Sequence, residues 1–558
     1  MPVSSSPHAS QVDVVVIGGG VNGSGVARDC ALRGMSVCLL ERNDLGFGAS
    51  GNSSGMIHGG LRYLSSNPKV TRLSCLDSGF IQNAAPHLLF RIPFLMPFDQ
   101  RAGSRVWMQL VDAALGAYDR YQPLKRGKPH TRLSADEVRS IEPGLTGDLL
   151  GALTFDEWGI DGGRLCAANA LDAHAHGADV RVHVSAEAIL RDESSGAVIG
   201  VAWRDLLDGS CGTVRARVVV NATGAWSPIT ASLAGLAPES SRVRPGKGIH
   251  VVFDRRLSNY AIATMSIDHR QVFLEPWENV SVLGTTDTDY YGDLDDVQAT
   301  SDEVRSLIQA IARVFPTIRE ARIIGTFAGV RPTLYEYGAI PDKLSREHEI
   351  VDHARHGANG LFSMIGGKLA SYRIFAEEMS DIVATKLGVS SACATRTSPL
   401  PGGDRTLDAK TFAAEHQLPH VAARRLIYRH GSRAIEIGEM MRSTPHGRDF
   451  VCHCEAITEA ELRFVVRNEF VRTVDDVVRR TRLALGPCGG LRCVMHTGLL
   501  VAQELELSPR EGLAQAMASA RRLARNRTVG LGPAQARQEA LTLAAWRSHF
   551  GLGTMDSP

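Results

Sequence analysis

The sequence predicts an α/β fold on three observations. In the stretch from Asp13 to Glu41, DVVVIGGGVNGSGVARDCALRGMSVCLLE, an apolar β-branched run (Val14 to Ile17) stops at a glycine cluster, a helix-forming segment follows, and a second apolar run (Ser36 to Leu40) ends at Glu41. Strand-like runs return beyond Ala152, alternate with a helical stretch over Leu165 to His176, and lead into VVVNATGAWS. A further set, Arg244 to Phe253, Gln271 to Glu275 and Val280 to Thr286, reads as a sheet distinct from the first. The implied architecture is a Rossmann-like nucleotide-binding fold with an inserted mixed-sheet substrate domain, followed by helical C-terminal domains.

In the first unit each glycine has a separate task. Gly18 permits a tight turn, Gly20 lets a pyrophosphate approach the backbone, and Gly23 lets helix and strand pack closely. The helix that follows presents free N–H groups and the positive end of its dipole to phosphates. Glu41, eighteen residues past Gly23, is placed to accept hydrogen bonds from an adenosine ribose, and its carboxylate disfavours the 2′-phosphate of NADP. Ile17, Val21, Asn22 and Arg42 complete the expected dinucleotide site.

Composition narrows the function classes. At 558 residues, two or three domains are expected. With 61 basic and 60 acidic side chains the net charge is +1, which offers no electrostatic footprint for nucleic acid but leaves room for a small anionic substrate. The polar segment Met1 to Gln11 has no apolar core and reads as a disordered tail, neither signal peptide nor anchor. No run of eighteen apolar residues suggests a transmembrane helix. Ten cysteines without a secretion signal point to a reducing, cytoplasmic setting. Six of them (Cys30, Cys38, Cys75, Cys166, Cys211, Cys393) are scattered and read as core fillers.

Behind Glu41 lies GFGASGNSSGMIHGGLRYL, a Gly- and Ser-rich segment that cannot pack a core. It reads either as a flexible surface loop or, with Ser50, Ser54, Met56 and Ile57 inside it and His58, Arg62 and Tyr63 at its end, as a binding loop. The region from Ser65 to Gly151 mixes helical periodicity with proline breaks (FRIPFLMPF) and offers no recognisable chemistry. The strand before Thr223 and Gly224 is either a simple strand end or the place where flavoenzymes with two dinucleotide-binding halves return to the cofactor. Phe327 to Pro332 and Gly360 to Tyr372 bring the chain back again. Gly366 and Gly367 sit where a strand should become a helix, which places Lys368 in the first helical turn, with Leu369 beside it, facing a flavin. A reduced flavin carries negative charge that a dipole and an ammonium would stabilise.

The last four cysteines read C-x-C-x33-C-x4-C, with Cys452, Cys454, Cys488 and Cys493 as candidate metal ligands. Thr458 and Thr473, each followed by an acid three residues on, look like helix starts, so the cysteines should sit on loops joining short helices. Four thiolates suit zinc or an iron–sulfur cluster. Beyond Cys493 helical periodicity runs to about Leu507, Arg521 to Arg527 reads either as a solvated face or as one that docks a partner, and the rest is a tail.

The ordered motifs GGGVNGSG, HGGLRYL, ATGAW, GTTDTDY, AGVRP and GGKLASYR, joined by LPGGD and YRHGSRA, resemble the FAD-dependent glycerol-3-phosphate dehydrogenase family over roughly residues 12 to 440. The loop carries Gly55 where single-chain aerobic members usually have lysine, which is nearer the type found in multi-subunit anaerobic enzymes. The C-terminal cysteine segment resembles the small [2Fe–2S] domain of the bacterioferritin-associated-ferredoxin type. The resemblance implies an FAD-dependent oxidoreductase over 12–390, a helical linker or cap over 391–445, a [2Fe–2S] domain over 446–507 and a helical tail over 508–558. It implies oxidation of sn-glycerol 3-phosphate to dihydroxyacetone phosphate, with Arg62, Tyr63, Arg331 and Arg346 at the substrate, His250 or His58 as base, and Lys368 polarising the reacting oxygen or the flavin. Electrons would leave through the cluster to a quinone or an iron–sulfur partner subunit, from an oligomer in the cytoplasm or peripheral on the inner face of the membrane. Two other readings keep the fold: an amine or 2-hydroxy-acid dehydrogenase or oxidase, and an electron-transfer subunit without substrate chemistry.

Overall fold

The computed structural model describes residues 10–61, 64, 67–266, 270–335 and 348–549. Strand Gln11–Ile17 and strand Val37–Glu41 pair in parallel with Val14 opposite Val37 and Ile17 opposite Leu40. Helix Val21–Leu32 crosses between them, so the predicted strand, turn, helix and strand are all present, the strands differing by a few residues at their ends. Val14 and Val16 face one core and Val15 and Ile17 another, as a parallel strand covered on both sides requires.

Around this unit the first sheet runs, in spatial order, His348–Asp352, Leu361–Gly366, Cys211–Asn221, Gln11–Ile17, Val37–Glu41, Asp179–Val182. Cys211–Asn221 is parallel to the first strand, with Asn221 opposite Ile17, which brings the ATG turn beside the glycine turn. Helix Gly162–Ala175 begins three residues earlier than its periodicity suggests, because Asp161 caps it by accepting a hydrogen bond from the Arg164 N–H.

The second sheet contains the predicted strands Val243–Phe253, Gln271–Trp277, Val280–Gly284 and Ile323–Leu334. It also takes Leu89–Asp99, Thr131–Ser134 and Leu149–Ile160 from the stretch in which the sequence showed only helices and breaks. FRIPFLMPF is therefore a strand, paired along its whole length with Leu149–Ile160. Its other neighbour, Ala261–Met265, pairs with it only at Phe94 and Leu95, and a strand with one nearly open side tolerates prolines that lack a ladder donor. Helix Ser301–Ile311 covers this sheet behind a Thr300 and Glu303 capping box.

The C-terminal region is mostly helical. Thr458 and Thr473 both cap helices, Glu459–Asn468 and Val474–Thr481, as their spacing predicts. Two expectations are corrected. Cys452 closes a short strand, Phe450–Cys452, paired with Ile457–Thr458, rather than lying on an inter-helix loop. The segment beyond Leu507 is helical but packed rather than a tail, and its arginines are only partly solvated. Helix Pro509–Thr528 buries Ala516 and Ala520 in the same core as Cys452 and Cys493, with Arg522 engaged by Asp475 and Arg527 by Glu539, while Arg521 and Arg525 are exposed. Gly498 and Gly512 let it press on helix Val494–Glu504, since a Cβ on either would meet the other's carbonyl oxygen at 2.4 or 2.3 Å.

Candidate functional site

The two sheets enclose a cavity of about 2220 Å³. Its lining draws together residues that lie far apart in sequence: Val21 and Asn22 from the first helix, Ser50, Ser54, Met56 and His58 from the Gly- and Ser-rich loop, His250 and Arg331 from the second sheet, and Gly366, Gly367, Lys368 and Leu369 from the last strand turn.

At the nucleotide end the geometry is set by backbone. Gly18 has φ +106°, and a Cβ there would lie 2.8 Å from the Ala222 carbonyl oxygen; one on Gly23 would lie 1.9 Å from the Gly18 oxygen. Gly20 caps the helix in extended conformation, and a Cβ on it would meet only Ser50 Oγ, at 3.4 Å. Ser50 Oγ accepts from the Val21 N–H at 3.0 Å. Glu41 accepts from the N–H groups of Gly19 at 2.6 Å and Asn43 at 2.7 Å. Burial raises its pKa and those two donors lower it. Ile17 hands its carbonyl to the Ala222 N–H, and Thr223 Oγ1 donates to Asn221, so Thr223 and Gly224 stand beside the glycine turn. Arg42 points elsewhere, into a half-exposed ion pair with Asp295 at 2.6 Å. Ile57 is fully buried in the core beneath the cavity, and its N–H is taken by the Trp158 carbonyl.

The loop that carries His58 is pinned from behind. Gly59 N–H donates to Glu157, Ser78 Oγ to the Ile57 carbonyl and Thr71 Oγ1 to the Gly60 carbonyl. Glu157 also binds Lys125 and accepts from Tyr118 at 2.7 Å, all of them buried. Breaking such a buried pair from one side costs about 3–5 kcal/mol. Nothing in the sequence pattern marked Lys125 or Glu157, because the contact joins residues 32 apart through the fold.

On the second sheet His250 is fully buried, stacks on Phe327 with centroids 4.6 Å apart, and meets Ser54 Oγ through Nε2 at 3.3 Å. Burial, reinforced by the Arg331 charge, pushes its pKa down to about 3, so the imidazole is neutral. Its Nδ1 has no hydrogen-bond partner among the described residues. Arg331 lies flat over Gly248, where a Cβ would sit 2.3 Å from its Nη2, and reaches Asp287 at 3.2 Å and Thr285 Oγ1 at 3.0 Å. Asp287 and Thr285 belong to the GTTDTDY motif, which was visible in the sequence without a role.

Lys368 is not in a helical turn, contrary to expectation. Gly366 and Gly367, both with φ near +80° (+79° and +84°), turn the chain after the strand, Lys368 is extended, and a 3-10 turn, Leu369–Ser371, intervenes before helix Tyr372–Leu387. The side chain lines the cavity all the same. Arg62, Tyr63 and Arg346 lie outside the described residues.

The four C-terminal thiols meet in two pairs. Cys452 is hydrogen-bonded to Cys493, which with the N–H groups of Glu455 and Ala484 brings the Cys452 thiol down to about 6 against the opposing burial. Cys454 receives the Cys488 N–H, while burial raises its pKa. Among the described residues no group of three or more His, Cys, Asp or Glu side chains converges so as to hold a metal ion.

A glycine turn at a parallel-strand end, opening on a cavity shared with a second sheet, is the arrangement of a dinucleotide-binding protein with a substrate domain. Comparison with known proteins agrees. The FAD dependent oxidoreductase family profile matches residues 13–373, and that of the C-terminal domain of alpha-glycerophosphate oxidase matches 393–511. The chain is 32% identical to a subunit of the anaerobic glycerol-3-phosphate dehydrogenase of Escherichia coli K12 over 498 residues, covering 88% of each. It is 33% identical to the glycerol-3-phosphate dehydrogenase of Mycobacterium leprae over 524 residues, 89% of this chain and 85% of that protein. The crystal structure of the Bacillus halodurans glycerol-3-phosphate dehydrogenase complexed with FAD shares the fold, with TM-score 0.73 and 24% identity over 94% of this chain and 96% of that one. The chain belongs to the FAD-dependent glycerol-3-phosphate dehydrogenase family.

The residues present suit FAD. Asn22 Oδ1, on the cavity wall, is buried without a partner among the described residues, and Gly20 leaves open space, since a Cβ there would meet only Ser50 Oγ at 3.4 Å. Four thiolates are the donor set a [2Fe–2S] cluster takes, but among the described residues no three of these side chains converge as metal ligands.

Proposed function

We propose that this protein oxidises sn-glycerol 3-phosphate to dihydroxyacetone phosphate. The observation that carries the reading is the meeting, in one cavity, of the Arg331 guanidinium, the neutral His250 imidazole and the Lys368 turn. FAD, when bound, supplies the acceptor for the hydride from C2. Ile17, Gly18, Gly20, Val21, Asn22, Gly23 and Glu41 would hold its adenosine and pyrophosphate, and Ser50, Ser54, Met56, Thr223, Gly224 and Gly366 to Leu369 the rest; Arg42, engaged by Asp295, and Ile57, buried beneath the cavity, would not touch it.

Arg331 offers a planar fork to the substrate phosphate, and Asp287 keeps that fork aimed into the cavity. The C2 hydroxyl must lose its proton as the hydride leaves, and His250 Nε2, already next to the Ser54 hydroxyl, is the atom placed to take it. A free imidazole beside Arg331 is a poor base. Burial is the larger cause of its low proton affinity and the Arg331 charge the smaller; phosphate dianion bound to Arg331 offsets the charge alone, so substrate strengthens the base in part. His58 and Lys368 line the same cavity, where the ammonium stabilises the developing oxyanion. Arg62, Tyr63 and Arg346 are assigned to the phosphate on resemblance alone.

Cys452, Cys454, Cys488 and Cys493 would hold a [2Fe–2S] cluster that gives the enzyme one-electron access to a quinone or to a partner iron–sulfur subunit. Relatives named as subunits of an anaerobic dehydrogenase support a multi-subunit setting. Among the described residues no helix is long and apolar enough to cross a membrane. Peripheral contact fits helix Ser104–Tyr118, which leaves Val106, Trp107 and Leu110 exposed at 62%, 58% and 60%, with Arg105 beside them and Trp107 and Leu110 on the cavity wall.

Anaerobically prepared protein, mixed with glycerol 3-phosphate, should lose its flavin absorbance; bleaching by an amino or 2-hydroxy acid instead would replace the substrate. Metal analysis should give about two irons and two labile sulfides per chain. Cys488→Ser should lower both while leaving bleaching intact. Zinc in their place would make the C-terminal segment a structural or docking module.

A further inference from the structure

The cysteine-bearing region and the nucleotide turn are joined by a buried ionic contact that the reaction does not use. Asp44, three residues past Glu41, has no solvent exposure. Arg480 grips both of its oxygens, at 2.6 and 2.9 Å, and Arg479 adds a third bond at 2.7 Å. Arg480 is itself fully buried and ties its Nε to the Glu469 carbonyl at 3.2 Å. Arg479 lies over the Phe47 ring, 5.6 Å from its centroid. Both arginines belong to helix Val474–Thr481, whose Val474, Val477 and Val478 share a core with Cys452 and Cys493. Four residues after Arg480 comes Ala484, whose N–H donates to Cys452.

On its other side, Asp44 starts the loop that shapes the nucleotide end. Phe47 N–H donates to the Asp44 carbonyl, Gly46 N–H to Gly19, and Gly51 N–H to Gly46, which sets Ser50 against the first helix N–H. The loop has no regular strand or helix of its own to hold it. A second tie, His183 to Asp476 at 3.0 Å, joins the same helix to the first sheet just past strand Asp179–Val182.

We propose that Arg479 and Arg480 are positioning residues for FAD: through Asp44 they clamp the 42–51 loop, so that FAD binding and docking of the cysteine-bearing region strengthen each other. The inference rests on the reading that the Gly18–Gly23 turn holds the dinucleotide. Coupling of this kind is reciprocal in free energy, so it is visible from either side. Amide hydrogen exchange on the full chain, with FAD removed and restored, is the test. FAD should slow exchange in 42–51 and also in 474–481, with helix Ser301–Ile311, which neither lines the cavity nor packs on helix Val474–Thr481, as the unmoved reference. Slowing in 42–51 alone overturns the coupling; slowing in neither overturns the placement of FAD and the proposal with it.

A variant gives a second measure. Arg480 is too buried to alter without risk to the fold, whereas the Arg479 side chain is 25% exposed. Arg479→Gln should weaken FAD binding to apoprotein, followed by flavin fluorescence, about tenfold, the scale of one charge-assisted hydrogen bond, and Arg479→Lys should recover part of it. Unchanged affinity in Arg479→Gln would sink the proposal, because a merely structural arginine alters melting and not flavin affinity.

Discussion

The two ends of the cavity are built from different material. At the nucleotide end the working groups are backbone, and the residues that matter are those with no side chain: Gly18 at φ +106° and Gly23 against the Gly18 carbonyl. At the catalytic end they are side chains, each held by others: Arg331 by Asp287 and Thr285, His250 by Phe327 and Ser54, the His58 loop by Glu157. A backbone site fails by addition of atoms and takes the cofactor with it. A side-chain site fails by removal and leaves the cofactor in place.

The sharpest break of that comparison is Gly23→Val. The new Cβ would stand 1.9 Å from the Gly18 oxygen, a contact that helix and strand can relieve only by parting. Flavin content of the purified variant should fall to near zero. Stoichiometric FAD would show that the turn does not hold the cofactor.

Arg331→Ala tests the other end. It should keep full flavin content while kcat/KM on glycerol 3-phosphate falls by at least ~10²-fold, the size expected for a positioned charged contact of about 3 kcal/mol. Loss of flavin in this variant would mean that the two ends are not separable.

The same contrast explains what was legible in the sequence. The glycine turn is a local pattern, with its strand, its helix and Glu41 within thirty residues, so the fold class, the strand–turn–helix–strand unit and both capped C-terminal helices could be read from spacing. Strand Leu89–Asp99 could not, because its two prolines are acceptable only given which neighbours it has, and those neighbours come from residues 149–160 and 261–265. Lys125, Glu157 and Asp287 escaped for a related reason: a buried ion pair is made by the fold and leaves no periodicity. Lys368 was identified but placed one structural element too far along, since Gly366 and Gly367 read as a helix start when they in fact turn the chain ahead of a 3-10 segment.

The smallest effect concerns acid stability, where buried side chains again part company with backbone. Burial pushes His87 and His250 down to about 3 and His353 to about 4, from an ordinary value of 6.5. As the pH falls below 6.5 the unfolded chain takes protons on all three that the folded chain refuses, so stability present above that value is lost on the way down to about 3. Asp77 opposes one of the three, since burial raises its carboxyl to about 6 and the folded chain accepts a proton there first. His353 gives the cleanest measurement. It is fully buried, holds Ser363 Oγ at 2.8 Å through Nε2 and lies away from the cavity lining. Denaturant unfolding of His353→Phe between pH 6.5 and 4.5 should show a shallower loss than the parent protein, by on the order of 1 kcal/mol per pH unit, one proton's worth. Parallel curves would mean that His353 is protonated within the fold and that its burial carries no acid sensitivity.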